Sequence, residues 1–132
     1  MQITIDFDGT VVTHDFPRVG KDIRAVPVLK KLINNGHRLI LNTMRSYNMR
    51  DFGDKPLNDA INWFKENDIP LYGINTNPEQ SSWTNSLKSY SHYDIDDINA
   101  FAPLIYNPNF HSRPYINWKL MEEELIRVKL IK

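Results

Sequence analysis

The chain contains no cysteine, which excludes disulfides, thiolate nucleophiles and cysteine-ligated zinc or iron–sulfur centres. Any metal must then be held by oxygen or histidine. Neither sign of charge is in excess, since 16 lysines and arginines balance 16 aspartates and glutamates. That balance gives no support for tight nonspecific nucleic-acid binding, although a local basic patch is compatible with it. No apolar run approaches the roughly 18 residues needed to span a bilayer, and no signal-peptide core is present. The expectation is a cytoplasmic protein with no membrane partner. At 132 residues the chain suits one domain, 1–132, with a single moderate core and no folded cap domain.

What is present is a repeated alternation of short apolar runs and amphipathic stretches. Ile3-Thr4-Ile5 reads as a buried parallel strand. Val11 to Arg24, with Pro17 and Gly20, reads as a flap at about 11–24 over the strand end. Pro27, then Val28, Leu29, Leu32 and Ile33 at helical spacing, then Asn34-Asn35-Gly36, spell one helix with its stop. Arg38-Leu39-Ile40-Leu41 follows as a strand ending at Asn42-Thr43, and strand, helix, strand implies a right-handed parallel crossover. Leu57, Ala60, Ile61 and Phe64 form a second helical face before Pro70 and the strand Leu71-Tyr72-Gly73-Ile74. Asn75 to Asn85 reads as loop with a short helical turn. Tyr93-Asp94-Ile95 leads to Asp96-Asp97, Pro103 to Tyr106 suits a fifth edge strand, and Trp118, Met121, Leu125 and Val128 mark a last helix. The fold class is α/β, a three-layer sandwich with a mostly parallel sheet and helices on both faces.

Strands of this kind deliver their C-terminal residues to the crevice where α/β proteins bind ligands. Asp6 and Asp8, two apart in an extended segment, project to the same side, and Gly9 allows a sharp turn behind them. Two carboxylates about 4 Å apart repel by roughly 4 kcal/mol at an effective dielectric near 20, so Asp6, Asp8, Asp96 and Asp97 together call for a cation. All-oxygen ligation favours Mg²⁺.

With Asp6-Phe7-Asp8-Gly9-Thr10, Leu41-Asn42-Thr43, Lys88 and Asp96-Asp97 in this order, the chain resembles the haloacid dehalogenase-like (HAD) superfamily, mostly magnesium-dependent phosphatases. The likeness runs from residue 2 to about 100, with Lys88 eight residues before Asp96 as in small members. The resemblance implies that Asp6 attacks phosphorus to give an aspartyl-phosphate, and that Asp8 acts as general acid and then base. It implies that Thr43 and Lys88 hold and neutralise the phosphoryl group. Gly9, Thr10 and Asn42 join the substrate site by their place in these motifs. The metal ligands it implies are the Asp6 side chain, the Asp8 backbone carbonyl and a motif IV aspartate, Asp97 ahead of Asp96. Capless members often take closure from a second subunit, which leaves a homo-oligomer open.

The same residues admit other readings. An Asx turn explains Asp8-Gly9 but not the aspartate inside the strand. A calcium loop at Asp94, Asp96 and Asp97 lacks the glycine and downstream glutamate of an EF-hand. Arg45, two residues after Thr43, suits a grip on a second anionic group of the substrate, while His14 and Arg18 lie in the flap. A phosphorylated small molecule is the expected partner. The alternatives are a phosphatase on nucleotide or nucleic-acid end phosphates, and a noncatalytic binding protein on the HAD fold.

Overall fold

In the computed structural model, which describes residues 1–132, ten elements follow one another. They are β1 (Gln2–Ile5), α1 (Ala25–Asn34), β2 (Arg38–Leu41), α2 (Lys55–Glu66), β3 (Leu71–Ile74), a 3-10 turn (Gln80–Ser82), β4 (Tyr93–Ile95), β5 (Leu104–Ile105), β6 (Tyr115–Ile116) and α3 (Trp118–Arg127). Four strands form one parallel sheet in the order β3-β2-β1-β4. The chain steps outward from β1 through β2 to β3 and then returns to the other side of β1 for β4. That reversal puts the topological switch point at the C-terminal end of β1, where α/β sheets open a crevice.

The helices form where apolar spacing and stop signals predict. In α1 the buried side chains are Ala25, Val28, Leu29 and Leu32, and the chain leaves through Gly36 at φ +85°, a conformation glycine adopts without penalty. Pro56 sits in the first turn of α2, where its missing N–H is harmless. In α3 the Asn117 side chain caps the start by accepting from the Leu120 N–H.

One core unites the buried faces of all three helices with Ile3, Ile5, Leu39 and Leu41 of the sheet. Thr4 and Ile40, one residue out of phase, point to the opposite face and lie outside that cluster. No α-helix covers them. Residues 75–92 do so instead, as irregular chain around the 3-10 turn. Asn77 Nδ2 donates to Gln2 Oε1 at 2.9 Å and to the Tyr90 carbonyl at 3.0 Å. Gln80 Nε2 donates to the carbonyls of Ser86 and Lys88 at 3.1 and 3.0 Å. The expected sandwich with helices on both faces is therefore corrected to a parallel sheet with its helical core on one face. The reason lies in composition: Ser, Thr and Asn in this stretch bond locally to backbone rather than supplying an apolar helical stripe.

Two further expectations change. Leu104–Ile105 does not extend the main sheet but pairs antiparallel with β6 as a separate two-stranded ribbon. That ribbon and α3 seal the core, with Tyr115, Ile116, Trp118, Leu125, Leu130 and Ile131 all buried. The flap is also partly core, since Val11, Val12 and Thr13 are fully buried and Val12 bridges to Asp8 and Asp22.

Candidate functional site

The loop leaving β1 turns back at once, because Gly9 takes φ +80° and a Cβ there would collide with the His14 ring and the Asp97 carboxylate. This turn presents Thr10, which is fully buried. Its hydroxyl donates to Asp6 Oδ2 at 2.8 Å and accepts from the Asp97 N–H at 3.0 Å, tying the end of β1 to the loop after β4. Trp118 Nε1 donates to the Thr10 carbonyl at 2.7 Å. Thr10→Val keeps the shape but leaves the Asp97 N–H and the Asp6 carboxylate each short of a partner. We expect a loss of about 1–3 kcal/mol in urea unfolding.

Asp6, Asp96 and Asp97 each offer a carboxylate oxygen within 4.8 Å of the others. Burial, with the Asp96 charge next, pushes the Asp6 carboxyl up to about 8. Burial likewise pushes Asp96 up to about 6. Burial acts to raise Asp97 too, but the hydrogen bond from His14 Nε2 at 2.8 Å and the His14 charge outweigh it and hold Asp97 below the usual carboxylate range. Three convergent acidic oxygen donors, two of them disfavoured as bare anions, fit a hard divalent cation such as Mg²⁺.

The electrostatics set a pH dependence for the metal-free protein. Asp6 and Asp96 have folded-state values above the unfolded one of 3.8, so the native state binds protons that the unfolded chain has released. Their stabilisation is fully present below that unfolded value and is lost as pH rises through about 6 and about 8. Asp97 works in the opposite direction, its contribution being lost only as acid protonates it. The melting temperature in chelator should fall between about pH 5 and pH 8.5, and Mg²⁺ should recover more of it at the alkaline end. A flat profile in chelator would contradict this picture of the cluster.

A cavity of about 440 Å³ opens over these groups, lined also by Asp8, His14, Thr43 and Arg45. Asp8 does not join the three-carboxylate cluster. Its two oxygens accept from Arg45 Nη2 and Nε at 2.7 and 2.9 Å. Arg45 Nη2 also donates to the Arg18 carbonyl at 2.6 Å, and Nη1 donates to the carbonyls of Pro17 and Pro56 at 3.3 and 2.9 Å. A guanidinium has five N–H donors, and all five are engaged. Arg45, only 1% exposed, has no donor left for substrate. The expected grip on a second anionic group is therefore corrected to a buried structural pairing with Asp8.

Thr43 reaches the cavity, its N–H donating to Asn75 Oδ1 at 2.8 Å and its hydroxyl accepting from the Arg45 N–H at 3.2 Å. Asn42 and Lys88 do not. Both line a different cavity of about 570 Å³ on the loop-covered face, beside Thr4, Trp83 and Asp94. Lys88 makes no ion pair with Asp6, Asp96 or Asp97 and is exposed, because the Gln80 side chain tethers its carbonyl to the far side of the sheet. Arg18 turns outward to Asp15.

Two residues enter the site that spacing did not single out. His14 sits on Asp97, with no ligand-like spacing to mark it beyond its place in the flap. Asn75, at φ +56°, joins the loops after β2 and β3 by accepting from Thr43 and donating through Nδ2 to the Arg45 carbonyl at 3.1 Å. A left-handed asparagine directly after a strand is the local signal that marks such a joint.

Fold and site thus define an α/β protein with a parallel four-stranded sheet and an acidic cluster at its switch point. No protein-family model and no curated protein matches the chain. A solved structure of a conserved protein from Bacteroides thetaiotaomicron is similar to it, with 33% identity over 98% of this chain and 91% of that one, at a TM-score of 0.72. The chain belongs to the same family as that conserved protein. No helix is long and apolar enough to cross a membrane.

Proposed function

We propose that the protein is a HAD-like, Mg²⁺-dependent phosphomonoester hydrolase with Asp6 as nucleophile. The observation that carries this reading is the convergence of Asp6, Asp96 and Asp97 oxygens within 4.8 Å at the switch point, on the floor of an open cavity. A bound Mg²⁺ would supply charge neutralisation for the carboxylates and the phosphoryl oxygens. In the first step an Asp6 carboxylate oxygen bonds to phosphorus as the ester oxygen leaves with a proton. In the second a water oxygen bonds to phosphorus, the Asp6–phosphorus bond breaks, and phosphate departs. Thr10 holds Asp6 in place through its hydroxyl. Asp8 is the proton donor and acceptor in this scheme, and its pairing with Arg45 fixes where its carboxylate points. With Lys88 turned to the other cavity, neutralisation falls to the cation.

One observation favours a second reading. A general acid locked on a saturated guanidinium, with the expected lysine elsewhere, suits a noncatalytic protein that binds a cation or phosphate on this fold. Hydrolysis of an aryl phosphate with and without Mg²⁺ separates the two. The phosphatase reading expects metal-dependent turnover. Absence of turnover together with a Mg²⁺-induced rise in melting temperature would favour the binding protein.

A further inference from the structure

The cavity above Asp6 has two chemically distinct parts. Its floor is acidic, and its rim is apolar, built from Phe16, Met44, Met49 and Ile98. Met44 and Ile98 are 92% and 82% exposed, and Phe16 is 44% exposed. Single exposed apolar side chains are ordinary on any protein. Three exposed ones and the half-buried Met49 line the same cavity as Asp6, and apolar surface gathered at a cavity in this way marks a binding site. The rim is anchored on one side, where the Phe16 ring packs edge-on against Phe52 at 5.3 Å between centroids. Met44 and Met49, the latter in the same turn as Phe52, add adaptable thioether chains that favour aromatic partners.

The charged groups of the cavity point the same way. Of its basic residues, Arg45 has every donor engaged and His14 is bonded to Asp97. No basic side chain of the lining remains free for a second phosphate or a carboxylate, which would face Asp8, Asp96 and Asp97 unpaired. A volume of about 440 Å³ is of small-molecule size.

Resting on the phosphatase reading, we infer that the site takes monophosphate esters whose organic part is apolar or aromatic and carries no second anionic group. The phosphoryl group would meet the acidic floor through the cation, while the organic part lies against Phe16, Met44 and Ile98. Sugar bisphosphates and phosphorylated carboxylic acids are selected against.

Phosphonates test this without requiring turnover. In Mg²⁺, calorimetric titration should show benzylphosphonate binding at least about tenfold more tightly than hydroxymethylphosphonate, in line with partial burial of one aromatic ring. Phosphonoacetate should bind most weakly. In the doubly substituted Met44→Ser, Ile98→Ser protein the benzyl preference should shrink toward unity. Equal affinities for the benzyl and hydroxymethyl compounds would overturn the inference while leaving a phosphoryl site standing, as would a preference unchanged in the double variant. If neither phosphonate nor inorganic phosphate binds in Mg²⁺, the phosphatase reading fails and the inference falls with it.

Discussion

Arg45→Leu should destabilise the protein by about 3–5 kcal/mol, among the largest losses expected from any single side chain in the structure. The side chain is buried, and its guanidinium bonds to three separate segments of the chain. It holds Asp8 after β1, the carbonyls of Pro17 and Arg18 in the flap, and the Pro56 carbonyl at the start of α2. It also lies 4.8 Å from the Phe7 ring centroid and 5.4 Å from that of Phe16, where the cation gains from the ring faces. Leucine would leave the Asp8 carboxylate partly buried without its counter-charge and would remove the guanidinium donors from the loop carbonyls of Pro17 and Arg18. Much of the loss comes from that stranded carboxylate. Adding Asp8→Leu to Arg45→Leu should therefore recover part of the stability, a non-additive result that urea unfolding of the four proteins reads directly. A single-variant loss below about 1 kcal/mol would mean that water replaces the guanidinium at little cost.

Asp6→Asn should abolish hydrolysis, lowering turnover by about 10⁴-fold or more if Asp6 is the nucleophile. The same change should leave the metal-free protein no less stable above pH 7. Burial and the neighbouring Asp96 disfavour the Asp6 anion, and a neutral amide of nearly the same shape escapes that penalty while still accepting from Thr10. The Mg²⁺-induced rise in melting temperature should shrink, because one of three clustered oxygens has lost its charge. Inactive, stable and weakly metal-responsive is a combination that a misfolded variant would not show. An Asp6→Asn protein that kept its activity would remove Asp6 from the chemistry.

The strands and helices were legible because each carries its own local signal. Ile3 and Ile5 alternate with Thr4, and Val28, Leu29 and Leu32 keep helical spacing up to the Asn-Asn-Gly stop. The strand order, with β4 beside β1, brought Asp96 and Asp97 to Asp6 as the ordered motifs implied. What was not legible depends on long-range convergence. Nothing near Arg45 announces that carbonyls at 17, 18 and 56 will meet around it, so a residue expected at the mouth of the site is buried beneath it. Lys88 stands at a familiar distance from Asp96, but Gln80 holds its backbone against the other side of the sheet. Residues 75–92 lack the apolar stripe of a helix, and the expectation of helices on both faces failed there for that reason.

If phosphoryl transfer passes through Asp6, as proposed, the aspartyl-phosphate can be trapped. The protein would be mixed with an aryl phosphate and Mg²⁺, quenched in acid, and treated with borohydride, which reduces an acyl phosphate to an alcohol. Peptide mass spectrometry should then find homoserine in place of aspartate at position 6, and unmodified aspartate at positions 8, 96 and 97. Sustained turnover with every one of these aspartates unmodified would contradict the account and leave direct attack by water as the chemistry of the site.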